Sequence, residues 1–236
     1  MLLTNWLTTL TSRIKKRPTF RSRDRRAIRR RWQTATQNQI TTAEVLEDRT
    51  LLTTFFVDDD YTGMSFNDPI TDIDPVTAGD QAGNFGIDVF ATIQGAVNAA
   101  AAGDTIYVSA GTYSEDVIVN TSVFIQGANS GIAAGVDPGV RGLESELTGG
   151  FRLFANDVVI DGFKIIDGTG PAGIGSKSAV FMASGTTGHT IENSIREGPG
   201  TGVESRGVLT TFNGNNDNIT IQNNEIYNWR AGIHNQ

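Results

Sequence analysis

Acidic side chains recur at a fixed interval in the C-terminal third of the chain. Asp161, Glu192 and Gln222 are spaced 31 and 30 residues apart, and Asp167, Glu197 and Asn228 are spaced 30 and 31 apart. In a stacked-strand fold, equivalent positions lie about 4.8 Å above one another. Carboxylates that close repel unless a cation or a proton sits between them. One chemistry that fits is a calcium site; another is an acid pair acting on a sugar. The competing reading places these acids as solvated turn residues that swing apart and are screened. A second acidic group, Asp58, Asp59 and Asp60, could attract calcium, which takes oxygen ligands. It lacks the alternating spacing of an EF-hand loop. His189 and His234 are 45 residues apart and match no metal-ligand spacing.

The element that must position these groups is a repeat. Val158-Val159-Ile160-Asp161-Gly162, Thr190-Ile191-Glu192-Asn193 and Ile219-Thr220-Ile221-Gln222-Asn223 are three copies of one short phrase. A period of this length marks a repeat architecture. Each copy is a β-branched run followed by Gly or Asn, which reads as strand and turn. A single copy cannot bury its apolar face, whereas stacked copies cover one another. Ile160, Ile191 and Ile221 are therefore expected to point inward in one parallel-paired column. Gly162, Asn193 and Asn223 then mark coil corners, where Asn tolerates the left-handed backbone.

Composition agrees with a thin, β-rich core. The 236 residues include 27 Gly, 38% hydrophobic residues, 8% aromatic residues and no Cys. Disulfides and Cys-ligated metals are thereby excluded. The net charge of −7 conceals two halves: residues 1–50 carry +8 and residues 51–236 carry −15. That asymmetry marks a basic tail on an acidic domain. No run of 18 apolar residues exists, so no transmembrane helix is expected.

Along the chain, residues 1–43 form a basic segment expected to be disordered and solvated. Its charges follow a weak apolar stretch, the reverse of an ordinary signal peptide. No folded reader or aromatic interleaving accompanies it, so no specific nucleic-acid partner is implied. Thr54–Val57 reads as a strand and residues 62–87 as a long loop. A helix is expected over Thr92–Ala102, capped by Thr92, with Ile93, Ala96, Val97 and Ala100 on one face and Gly103 ending it. Strands follow at Asp104–Val108, Val117–Val119 and Val123–Ile125, with a turn at Ala110–Tyr113. Residues 128–150 read as a loop projecting from one coil. Gln236 falls in mid-repeat with no polar cap after it, which suggests a shortened chain or a partner that closes the stack.

Two stretches resemble known families. Glu44-Val45-Leu46-Glu47-Asp48-Arg49-Thr50-Leu51-Leu52 resembles the LEDR-T-LL signature near the N-terminus of many planctomycete extracellular proteins. The resemblance implies that residues 1–52 serve export or surface targeting, with export machinery as their partner. The stretch from Phe90 to Gly127, FATIQGAVNAAAAGDTIYVSAGTYSEDVIVNTSVFIQG, looks like the opening of right-handed parallel β-helix proteins of the pectin-lyase-like fold. In that family the helix caps the N-terminal end of the solenoid. The family's polygalacturonase-type arrangement of three Asp with Gly-His-Gly is absent; Asp157, Asp161 and Asp167 do not form it.

The expected architecture is all-β: a right-handed parallel β-helix over residues 53–236 with an N-terminal capping α-helix, preceded by the basic leader at 1–52. The expected function is an extracellular or surface-displayed, non-catalytic scaffold for adhesion or glycan contact. The alternative is a carbohydrate-active enzyme, a polysaccharide lyase or a relative acting on acidic polysaccharide. Its catalytic residues would come from Asp161, Lys164, Asp167, Glu192, Arg196 and Glu197, and its cofactor would be Ca2+. An enzyme should gather acids and a base in one groove; a scaffold should scatter them.

Overall fold

The structure is a computed structural model that describes residues 52–74, 78–135, 140–166, 178–200, 205–211 and 215–235. Residues 1–51 of the basic leader and Asp167 lie outside the described residues. Among the described residues, seventeen strands and one α-helix follow in chain order. They are β1 (Thr54–Val57), β2 (Pro69–Ile70), β3 (Gly83–Asn84), β4 (Val89–Phe90), α1 (Ile93–Ala99), β5 (Thr105–Val108), β6 (Gly111–Val119), β7 (Phe124–Gln126) and β8 (Ser145–Leu153). Then come β9 (Val159–Asp161), β10 (Phe163–Ile166), β11 (Ser178–Met182), β12 (Thr190–Glu192), β13 (Ile195–Glu197), β14 (Arg206–Thr210), β15 (Thr220–Gln222), β16 (Glu225–Tyr227) and β17 (Ala231–His234). A 3-10 turn, Asp59–Tyr61, separates β1 from β2.

The strands wind into a parallel β-solenoid of about five turns. The first sheet has the order β15-β12-β9-β7-β5-β1-β4, with every pair parallel. Ile106, Ile125, Ile160, Ile191 and Ile221 lie in register along it. The first four are fully buried. Ile221, in the last described coil, is half-buried because no further strand covers it among the described residues. Each buried Ile contributes about 1.5–3 kcal/mol, so this column is a substantial part of the core that holds the stack. The inward column expected from the 31- and 30-residue spacing is present.

The second sheet begins as two long strands and then divides. β6 and β8 pair along all nine residues. The first half of β8 pairs with β10 and the second half with β11. From there, β10-β13-β16 and β11-β14-β17 continue as separate ladders. Gly149 falls where the sheet divides: its φ is +138°, and a Cβ there would strike the Glu115 carbonyl. Residues 110–113 are therefore not the turn expected from Ala110-Gly111. Gly111–Tyr113 open a continuous strand, because the polar Thr112 and Ser114 face outward while Tyr113 and Val117 are buried.

The helix α1 covers the N-terminal end, packing on β1, β4, β5 and β6 with Ile93, Ala96 and Val97 buried. Thr92 caps it by accepting from the Gly95 N–H at 3.1 Å. It ends at Ala99, earlier than the expected Ala102, and Gly103 (φ +92°) belongs to the turn that follows. Gln94 substitutes for a missing neighbour strand on β6. Its Oε1 accepts from the Ile118 N–H at 2.6 Å, and its Nε2 donates to the Ile118 carbonyl at 3.1 Å. Exposed edges invite mispairing, and α1 blunts this one. The 62–87 stretch expected as loop holds one antiparallel pair, β2 with β3.

Candidate functional site

Asp58, Asp59 and Asp60 place one carboxylate oxygen each within 4.8 Å of the others. Two of the three have structural partners. Asp58 caps the 3-10 turn, accepting from the Asp60 N–H at 3.0 Å. Asp59 accepts from the Thr112 N–H at 2.9 Å and so terminates the free edge of β6. Burial pushes the Asp58 carboxyl above the ordinary range, reinforced by the charge of Asp60.

The first acidic column is in register: Asp161 pairs with Glu192, and Glu192 with Gln222. The solvated reading fails for Asp161, which is buried. Its carboxylate accepts from Ser130 Oγ, from the Gly131 N–H at 3.1 Å and from Asn193 Nδ2 at 2.7 Å. It pins the 127–135 loop to the coil corner. Glu192 accepts from Gln222 Nε2 at 2.6 Å. The expected second column is not in register at Glu197 and Asn228: Glu197 pairs with Ile166 below and Tyr227 above.

The two cations are separated by the sheet itself. Lys164 pairs with Ile195, and Ile165 with Arg196. Alternation then sends Lys164 outward and Arg196 into the core. Arg196 is completely buried and stands in the ladder Tyr113, Leu147, Ile165, Arg196, Ile226. Burial lowers its pKa to about 9. It cannot act as a base on an outer groove. His189 is also fully buried, and burial lowers its pKa.

Outward, β8, β10, β13 and β16 assemble a cluster that the sequence reading identified only in part. Lys164 Nζ lies 3.1 Å from Glu146 Oε2 and 4.0 Å from Glu197 Oε2. Tyr227 donates its hydroxyl to Glu197 Oε2 at 3.1 Å. Burial, aided by the Glu197 carboxylate, raises the Tyr227 phenol above its ordinary value. Beside this ladder is an open cleft of about 420 Å³ lined by Gly111, Thr112, Gly142, Leu143, Glu144 and Glu146. Leu143 is 82% exposed at its rim.

The cleft wall is formed by residues 142–144, and the described parts of the loop, 127–135 and 140–144, bond to the coil corners at Asp161, Gly162, Asn193 and Asn223 rather than projecting from one coil. Arg141 grips Glu144 through two bonds of 2.9 Å and donates to the carbonyls of Ile132 and Asn193. Asn129 Nδ2 donates to the Leu143 carbonyl at 2.9 Å, and Asn129 Oδ1 accepts from the Gly142 N–H at 2.8 Å. Glu144 and Glu146 were missed because this loop breaks the period. Glu146 precedes Lys164 by 18 residues instead of about 30.

The fold and this outer ladder define a parallel β-solenoid. No family model, curated protein or solved structure matches the chain. The comparisons thus lend no support to the pectin-lyase-like family or to the extracellular signature. No helix among the described residues is long and apolar enough to cross a membrane.

Proposed function

We propose that this chain is a non-catalytic solenoid scaffold, extracellular or displayed at a cell surface, that contacts a neutral glycan along the outer face of β8, β10, β13 and β16. The observation that carries this reading is the ladder Glu146–Lys164–Glu197–Tyr227 beside an open cleft. Carboxylates, an ammonium and a phenol offer hydrogen bonds to sugar hydroxyls, and an extended solenoid face suits a linear polymer. The charge balance argues against an acidic ligand. Two carboxylates flank one ammonium, Glu144 is matched by Arg141, and residues 51–236 carry −15. Such a field repels polyanions.

The gathering expected of an enzyme is the observation that favours the second reading: Glu146, Glu197 and Lys164 share one face beside the cleft, as acid–base work requires. Against it, the Lys164 ammonium is occupied by both acids and Arg196 is enclosed. The test is calorimetric titration with neutral, amino-bearing and uronic oligosaccharides, with each mixture assayed for new reducing ends and unsaturated products. The scaffold reading expects binding to a neutral glycan and no product. Turnover, or binding restricted to uronic chains, contradicts it.

A further inference from the structure

The interior of the solenoid changes character in one coil. The coil of β9, β10 and β11 lines its core with Val158, Ile160, Phe163, Ile165, Val180 and Met182, all buried. In the next coil, the positions of Val158 and Ile165 are taken by His189 and Arg196. Both side chains are fully buried. Arg196 Nη1 donates to Asn224 Oδ1 at 3.3 Å. Its Nε and Nη2 have no hydrogen-bond partner among the described residues. No ion pair joins Arg196 to any described carboxylate, and burial alone accounts for its lowered pKa. Tyr113, in the same ladder as Arg196, shows the ordinary alternative: its hydroxyl donates to the Ser109 carbonyl at 3.1 Å.

The two orphaned groups of Arg196 are not an arbitrary pair. Nε–H and one Nη2–H point the same way along one edge of the planar guanidinium. That edge is the fork that takes a carboxylate or similar anion through two parallel hydrogen bonds. A guanidinium does not shed its charge in a protein, and an uncompensated buried charge is strongly destabilising. We propose that the core of this coil holds a small monovalent anion, a halide or a planar oxyanion such as nitrate or formate, on the Nε/Nη2 edge of Arg196. The anion enters the fold as an internal ligand, closed in by the coil of β15 and β16, where Ile226 stands over Arg196 and Trp229 Nε1 donates to the Arg196 carbonyl at 2.9 Å. The anion is thus a structural ligand of the stack, separate from the outer ladder.

Thermal unfolding of the full chain at constant ionic strength, with chloride, bromide or nitrate replacing a bulky organic anion, tests the assignment. The melting temperature of the wild type should rise by roughly 3–5 °C for each tenfold increase in the small anion above its dissociation constant. Arg196→Met, which restores an apolar side chain to the ladder, should show no such slope; comparing the two removes general salt effects. Equal slopes, or no slope in the wild type, overturn the proposal. Crystals of the wild type grown in bromide give a second readout independent of the variant's folding. An anomalous peak within hydrogen-bonding reach of Arg196 Nε and Nη2 supports the site, and a water or nothing at that edge refutes it.

Discussion

The Glu115 carboxylate accepts the N–H of Ile93 at 2.8 Å and that of Gln94 at 2.9 Å, so β6 caps the helix that covers its own edge. Burial pushes the Glu115 carboxyl above its ordinary value of 4.5, and the two N–H donors oppose this without cancelling it. A carboxyl with a raised folded-state pKa contributes most below its unfolded pKa and loses that contribution as pH rises through the folded value. Glu115→Ala should therefore cost about 1–2 kcal/mol in acid and progressively less above the ordinary Glu value. Urea unfolding of both proteins across that pH window measures the difference. A cost that grows with pH would show the N–H donors outweighing burial.

Asp161 should prove a structural anchor. Asp161→Asn turns one acceptor oxygen into a donor facing Ser130, Gly131 and Asn193. The expected loss is about 2–3 kcal/mol, the scale of hydrogen bonds to a buried charged group. Limited proteolysis should then cut within residues 127–135 faster than in the wild type. Unchanged stability and protection would remove Asp161 from this role.

The corner column distinguishes Gly162 from its Asn counterparts. Gly162, Asn193 and Asn223 all have positive φ, at 79°, 50° and 54°. All three corners meet the loop, but at Gly162 the approach is closest: a Cβ there would collide with the backbone of Asn129 and Ser130. Gly162→Asn should cost about 1–3 kcal/mol from overpacking. Asn223→Gly should change the melting temperature far less. Equal effects at the two positions would show that φ alone governs this column.

The export role that the LEDR-T-LL resemblance implies for residues 1–52 is testable in cells. Deletion of residues 1–52 should abolish export from a host that secretes the intact chain. Secretion of the deletion at the intact level rejects that role.

The repeat was legible because Ile160, Ile191 and Ile221 share hydrophobic phase with Asn or Gly corners, and both signals survive without any tertiary context. The same spacing also carried the position of Arg196. Ile165, Arg196 and Ile226 are 31 and 30 residues apart, the interval of the inward Ile column. Charge suggested surface, but alternation from the Asn193 corner put Arg196 inside. Glu146 was illegible for another reason. The 127–144 insertion shifts it out of period, and only the β8–β10 register sets it beside Lys164. Likewise, nothing local in the sequence marks Asp59, Gln94 and Glu115 as partners across the N-terminal end. Their hydrogen bonds link residues 21 to 53 positions apart.

The outer ladder is the central claim, and titration calorimetry of Lys164→Ala against the wild type tests it most directly. Lys164 is partly exposed and outside the core, so the variant should fold with a near-native melting temperature. With a neutral oligosaccharide that the wild type binds, its dissociation constant should rise about tenfold, the loss of roughly 1.4 kcal/mol. An unchanged dissociation constant in a folded Lys164→Ala protein, or no binding of any neutral glycan by the wild type, would contradict the account.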